Sequence, residues 1–201
     1  MASSAVPALQ FQTKRNPNDP QMLADSAAAK QYEAAIRASA AHYGLPVCVV
    51  CGIGSRESGW GRLLHPQGPG GTGDAAPRSW AKPPFRPNPN SLPPDGQGFG
   101  RGLMQIDFDG QPFARTGNWQ DPAANIDMGC QILSQSIHFF AAHVGLAVSA
   151  LQAGIAGYNR GPGLVLRDLA SGLDVDKNTA HSNYSADVLD RAGWFFAAGW
   201  Q

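Results

Sequence analysis

A single, mainly α-helical domain is the fold class this sequence predicts, and three observations lead there. A length of 201 residues suits one domain. Hydrophobic residues make up 43% of the chain against 15% charged, enough apolar surface to bury a core. Most of the chain reads as apolar residues at helical spacing between glycine and proline breaks, while nine of the sixteen prolines crowd between Pro66 and Pro94.

The elements follow in order. Residues 1–20 are polar and proline-containing and read as a flexible arm ahead of a domain spanning 21–201. A helix is expected from about Asp25 to Tyr43, with Tyr32, Ile36 and Tyr43 near helical spacing and Gly44 to stop it. Pro46 suits a first helical turn. The run from Val47 to Ile53 then has no polar face, so it reads as a buried central helix ending near Glu57-Ser58-Gly59. At residue 65 the composition shifts to a Pro/Gly-rich insertion, about 65–98, of a length that is usually functional or disordered. Trp80 and Phe85 within it favour a segment packed on the surface. Regular structure resumes near Phe99. Asp121-Pro122 opens a helix to about His143, closed by Gly145. Further helices are expected from Ala147 to Tyr158, from Gly163 to Leu169, and from about Asn183 to Ala197.

Composition also excludes functions. Lysine plus arginine balance aspartate plus glutamate at 15 each, which argues against nucleic-acid binding through a broad basic face. No run of 18 apolar residues is present to span a membrane. No apolar stretch precedes Lys14 and Arg15, so no signal peptide is visible in the given chain. The three cysteines, Cys48, Cys51 and Cys130, read as small buried hydrophobes, with one disulfide through Cys130 as the alternative. His42, His65, His138, His143 and His181 are scattered, and neither a metal site nor a cofactor is expected. No glycine-rich loop carries the Lys-Ser/Thr of a phosphate-binding motif.

Three islands carry candidate chemistry. In Gly54-Ser55-Arg56-Glu57-Ser58-Gly59-Trp60-Gly61, a glutamate ends an apolar helix. Burial and the negative end of the helix dipole both raise a carboxyl pKa, which a proton donor at neutral pH requires. The plain alternative is a helix-terminal glutamate paired with Arg56 or Arg62. In Gly98-Phe99-Gly100-Arg101-Gly102-Leu103-Met104-Gln105-Ile106-Asp107, alternating glycines allow close approach of a polymer, and Gln105 and Asp107 share one side of an extended segment. The alternative is a hairpin with solvated carboxylates. In Ala156-Gly157-Tyr158-Asn159-Arg160-Gly161, a phenol and an amide end a helix, either facing a carboxyl or sugar or serving as a core tyrosine and a capping asparagine.

Taken in order, Ser55-Arg56-Glu57-Ser58, Gly102-Leu103-Met104-Gln105-Ile106-Asp107 and Ala156-Gly157-Tyr158-Asn159-Arg160-Gly161 resemble the goose-type lysozyme and lytic transglycosylase superfamily, glycoside hydrolase family 23-like. Tyr184-Ser185-Ala186-Asp187-Val188-Leu189 resembles that family's C-terminal helix, and the resemblance covers about residues 45–200. It implies a lysozyme-like fold with a small β-hairpin and the insertion beside a sugar-binding cleft. It further implies cleavage of the β-1,4 bond between N-acetylmuramic acid and N-acetylglucosamine in peptidoglycan. By motif position Glu57 matches the general acid and Asp107 a water-positioning aspartate. The partner aspartate is Asp95, preferred for its spacing, or Asp74 in Gly73-Asp74. Gln105 and Tyr158 match positions lining the glycan, with Asn159 beside them, and Trp80 of the insertion either stacks on a sugar or packs structurally.

An aspartate pair opposite Glu57 favours an inverting hydrolase, whose two carboxyls stand about 6.5–9.5 Å apart to admit a water. A lytic transglycosylase giving 1,6-anhydro products is the runner-up. Chitin as substrate and a catalytically silent glycan-binding module are the other readings. The implied partner is a peptidoglycan glycan strand, met by a monomer that is secreted, periplasmic or wall-associated. The cysteines do not reproduce the disulfide pattern of secreted vertebrate members.

Overall fold

The computed structural model of the chain describes residues 11–80, 83–143 and 145–201. Helices α1 (Pro20–Ala29), α2 (Glu33–His42) and α3 (Val47–Ser58) come first, followed by three two-residue strands, β1 (Thr72–Gly73), β2 (Gly100–Arg101) and β3 (Ile106–Asp107). Helices α4 (Phe113–Thr116), α5 (Pro122–Ala141), α6 (Ala150–Arg160), α7 (Pro162–Ala170) and α8 (Tyr184–Ala197) complete the chain. The fold is therefore mainly α, with one small antiparallel sheet in the order β1-β2-β3.

Helix α3 is the axis of the molecule. Every residue from Cys48 to Ser55 is buried in it, and it packs most extensively on α8. Its end is set by Gly59 at φ 55°, a left-handed cap that suits glycine. The N–H groups of Gly59 and Trp60 donate to the carbonyls of Ser55 and Gly54, both at 3.1 Å, and the chain turns back on itself there. Glu57 is thereby fixed on the last turn of a buried helix. Beneath that turn, buried Asp25 accepts from Ser55 Oγ at 2.6 Å and pairs with Arg62 and Arg191. A buried charge left without such partners would be costly, so this network fastens α1 and α8 to α3 as a unit.

The expected helix over 25–43 begins earlier and is broken. Asp19 accepts from the N–H groups of Gln21 and Met22 and Pro20 follows it, so α1 starts inside what reads as arm. A 3-10 turn at Lys30–Tyr32 then separates α1 from α2. Helix α6 starts at Ala150, where Ser149 Oγ accepts from Gln152 N–H, rather than at Ala147. Of the expected arm, residues 1–10 lie outside the described residues. Residues 11–19 run along α8: Phe11 lies 6.0 Å from Phe196, Thr13 Oγ1 donates to Asp190 at 3.0 Å, and Trp194 Nε1 donates to Asn16 O at 3.0 Å.

The described part of the insertion is largely exposed but tied down, and its anchor is an arginine. Arg86 is buried, donates from Nε to Asp109 at 3.0 Å and from Nη1 to Ser91 O at 2.7 Å, and stacks over Phe99. Phe85 lies 3.5 Å from the Arg115 guanidinium, and Trp80 is half exposed. The three cysteines are free and buried; burial pushes the Cys48 and Cys130 thiols up to about 12 and Cys51 well above its ordinary value. Among the described residues no helix is long and apolar enough to cross a membrane.

Candidate active site

A cleft of about 520 Å³ opens between the end of α3 and the small sheet. Glu57 lines it from the helical side. Its neighbouring arginines are engaged elsewhere: Arg56 donates to Asp187 at 2.9 Å, and Arg62 pairs with Asp25. With no ion-pair partner among the described residues, burial pushes the Glu57 carboxyl up from 4.5 to about 7, against the opposing pull of the Tyr184 hydroxyl and the Arg56 charge. A substantial fraction of Glu57 is therefore protonated at neutral pH. Tyr184 Oη donates to Glu57 Oε1, which leaves Oε2 to carry the proton.

Two tyrosines frame this acid in different ways. Tyr184 is the first residue of α8; burial, and then the nearby Glu57 charge, hold its phenol well above the ordinary value. Tyr158, near the end of α6, is raised for the same two reasons but donates to Met104 O at 2.7 Å instead. It thus ties α6 to the turn between β2 and β3. Ser58 makes a parallel tie from α3, donating to Leu103 O at 2.7 Å. The glutamate and the turn facing it are thereby held by adjacent residues of one helix.

The hairpin side is shaped around Gln105. Its side chain folds over the paired glycines Gly73 and Gly100, where an added Cβ would come within 2.2 and 2.1 Å of Gln105 Oε1. Any larger residue at either position would evict it. Gln105 Nε2 donates to Gly102 O at 2.8 Å, so the amide is fixed with its face to the cleft.

Asp107 and Asp74 both line the same cleft, and one arginine links them. Arg78 Nη2 donates to Asp107 Oδ2 and, at 2.9 Å, to Asp74 Oδ2. Arg78 Nη1 reaches Asp109 at 3.2 Å, and the guanidinium lies 4.0 Å from the Phe99 ring centroid. Asp107 Oδ1 accepts from Gly110 N–H at 2.6 Å.

The remaining expected site residues are placed as follows. Asp95 is absent from the cleft lining: it accepts from Arg101 Nη2 at 3.0 Å and from Gln97 N–H at 3.1 Å, and its side chain is 45% exposed. Buried Arg101 holds it outside the cleft, and Asp74 is the aspartate that shares Arg78 with Asp107. Trp80 is also absent from the lining, with its ring 5.9 Å from Arg78. Asn159 is present and accepts from Ala180 N–H at 2.9 Å, which fastens the 3-10 turn Ala180–Ser182 as a rim of the cleft. Tyr184 and Arg78 are the contacts of the cleft carboxyls that motif reading misses. Tyr184 opens a recognised segment without an assigned role, and Arg78 sits in an insertion that matches no motif. No cluster of metal-ligating side chains occurs among the described residues.

No family model matches the chain. A curated protein, lysozyme g of Epinephelus coioides, is 28% identical over 184 residues, which cover 85% of this chain and 77% of the relative. The likeness to goose-type lysozymes carried by the three islands thus extends over most of the sequence.

Proposed function

With that likeness as premise, we propose that this chain is a muramidase, hydrolysing the β-1,4 bond between N-acetylmuramic acid and N-acetylglucosamine in peptidoglycan with inversion at the anomeric carbon. The observation that carries the reading is the contrast within one cleft: a carboxyl raised to about 7 by burial, and a pair of aspartates gripped by a single arginine. An inverting glycosidase needs that division between an acid and a carboxylate that activates water.

Glu57 Oε2 donates its proton to the glycosidic oxygen as the bond to the anomeric carbon breaks, while Tyr184 steadies the glutamate left behind. A water held at Asp74 and Asp107 attacks the anomeric carbon and loses its proton to the pair. Gln105, Tyr158 and Asn159 line the path of the glycan, and Trp80 takes no sugar in this arrangement. The substrate lies outside the cytoplasmic membrane, so the site of action is secreted, periplasmic or at the wall, and no second copy is needed to complete the cleft.

Mass spectrometry of the soluble products from purified peptidoglycan tests the reading. Reducing muropeptides from the unmutated chain and none from Glu57→Gln are expected. Products ending in 1,6-anhydromuramic acid would make the chain a lytic transglycosylase. Activity confined to chitin oligomers would move the substrate, and no products from either protein would leave a glycan-binding module.

A further inference from the structure

We propose that Arg78 is a positioning residue for the hydrolytic step, fixing Asp74 and Asp107 as a pair, so that the proline-rich insertion is part of the catalytic apparatus. The inference rests on the muramidase reading above.

Two carboxylates in one cleft repel each other and would splay apart unless a cation lies between them. Arg78 is that cation, and its planar, permanently charged fork sets directions that an ammonium group could not. The arginine is itself held on several sides. Its backbone forms an antiparallel bridge with Ser91, its carbonyl accepts from Asn90 N–H at 2.8 Å, and its guanidinium rests on Phe99. Its other nitrogen reaches Asp109, a buried carboxylate clamped in turn by buried Arg86. The insertion therefore delivers one guanidinium to the cleft and ties it back to the protein interior.

The oxygens it engages also divide the work. Arg78 takes Oδ2 of both aspartates, and Gly110 N–H takes Oδ1 of Asp107. Asp74 Oδ1 keeps no protein hydrogen bond among the described residues, and its side chain is 51% exposed. In this assignment Asp74 Oδ1 accepts the proton of the attacking water, while Asp107 orients the pair. The new bond joins the water oxygen to the anomeric carbon. The old bond leaves with the leaving-group oxygen, which takes the Glu57 proton, and solvent later returns a proton to Glu57 and removes one from Asp74.

The test compares the unmutated chain with Arg78→Ala, Arg78→Gln and Arg78→Lys on purified peptidoglycan. Turnover, KM, thermal unfolding and the ratio of reducing to 1,6-anhydro muropeptides are read for each. The expected result is a loss of hydrolytic turnover on the order of 100-fold in Arg78→Ala, carried by kcat rather than KM. The residual products shift toward anhydro ends, and Arg78→Lys falls between. The product ratio is fixed at each cleavage event, so a fraction of misfolded protein does not move it, and Arg78→Gln and Arg78→Lys supply it if the alanine variant does not fold. An unchanged product ratio and turnover in the variants would overturn the proposal. Faster hydrolysis would also overturn it, making Arg78 a plug. If the unmutated chain releases no reducing muropeptides, the muramidase reading has failed instead.

Discussion

Glu57 and the Asp74–Asp107 pair are carboxyl groups of one cleft, supported in opposite ways. Glu57 ends a helix whose neighbours are apolar, and its arginines face away toward Asp187 and Asp25. The aspartates stand at short strands and an irregular loop, where Arg78, and Arg86 with Asp109, form ion pairs resting on buried Phe99. On one side burial keeps a proton on the carboxyl at neutral pH; on the other a shared arginine fixes two carboxylates side by side. In the proposed mechanism the same functional group takes an acid's role or a base's role according to what the fold packs against it.

The sharpest way to break this contrast is Glu57→Gln, expected to lower turnover at least about 1000-fold, within the span of general acid catalysis. Its effect on stability runs the other way. The folded-state value of Glu57, about 7, lies above the ordinary 4.5, so its stabilising contribution is complete below about 4.5 and is lost as pH rises through about 7. Denaturant unfolding at pH 8 should find the glutamine variant more stable than the parent by on the order of 1 kcal/mol, with no such gain at pH 4. On the hairpin side, Asp74→Asn and Asp107→Asn should each cost on the order of 100-fold in release of reducing ends, without that gain.

Tyr184→Phe sharpens the comparison rather than breaking it. The phenol donates to Glu57 and favours its charged form, so its removal should raise the Glu57 pKa further. The alkaline limb of the pH–rate profile moves to higher pH, and stability falls by about 1 kcal/mol as a buried hydrogen bond is lost. The smallest effects are expected at Asp95 and Trp80, outside the cleft lining. Asp95→Asn and Trp80→Ala should change turnover less than about twofold, because exposed groups away from a site contribute little.

Helical punctuation makes much of the fold legible in the sequence: Gly59 ends α3, and Asp121-Pro122 opens α5. The signal that Asp121-Pro122 supplies is also present in Asp19-Pro20, yet a polar, proline-containing start masks it there. Glu57, Gln105, Asp107, Tyr158 and Asn159 lie in motifs of fixed local spacing and all reach the cleft. That Asp74 rather than Asp95 lines the cleft is not legible, because it turns on which arginine each carboxylate meets after 20 intervening residues. Arg78 and Arg101 set those placements through space, and hydrophobic periodicity carries no record of it. The anchoring of the insertion is hidden for the same reason: Trp80 and Phe85 point to a segment packed on the surface, and Phe85 does lie against Arg115, but the sequence does not show that buried Arg86 holds it.

The chain offers an unusually clean test of the central claim, since Glu33 and Glu57 are its only glutamates. With carbon-13 placed at the glutamate carboxyl carbon, an NMR titration should show two signals. Glu33, hydrogen-bonded by Lys30 and Arg37, should titrate below the ordinary glutamate value, and Glu57 should titrate near pH 7 and vanish from the spectrum of Glu57→Gln. Two glutamate signals that both titrate near or below 4.5 would contradict the account, because the carboxyl assigned as the acid would then hold no proton at neutral pH.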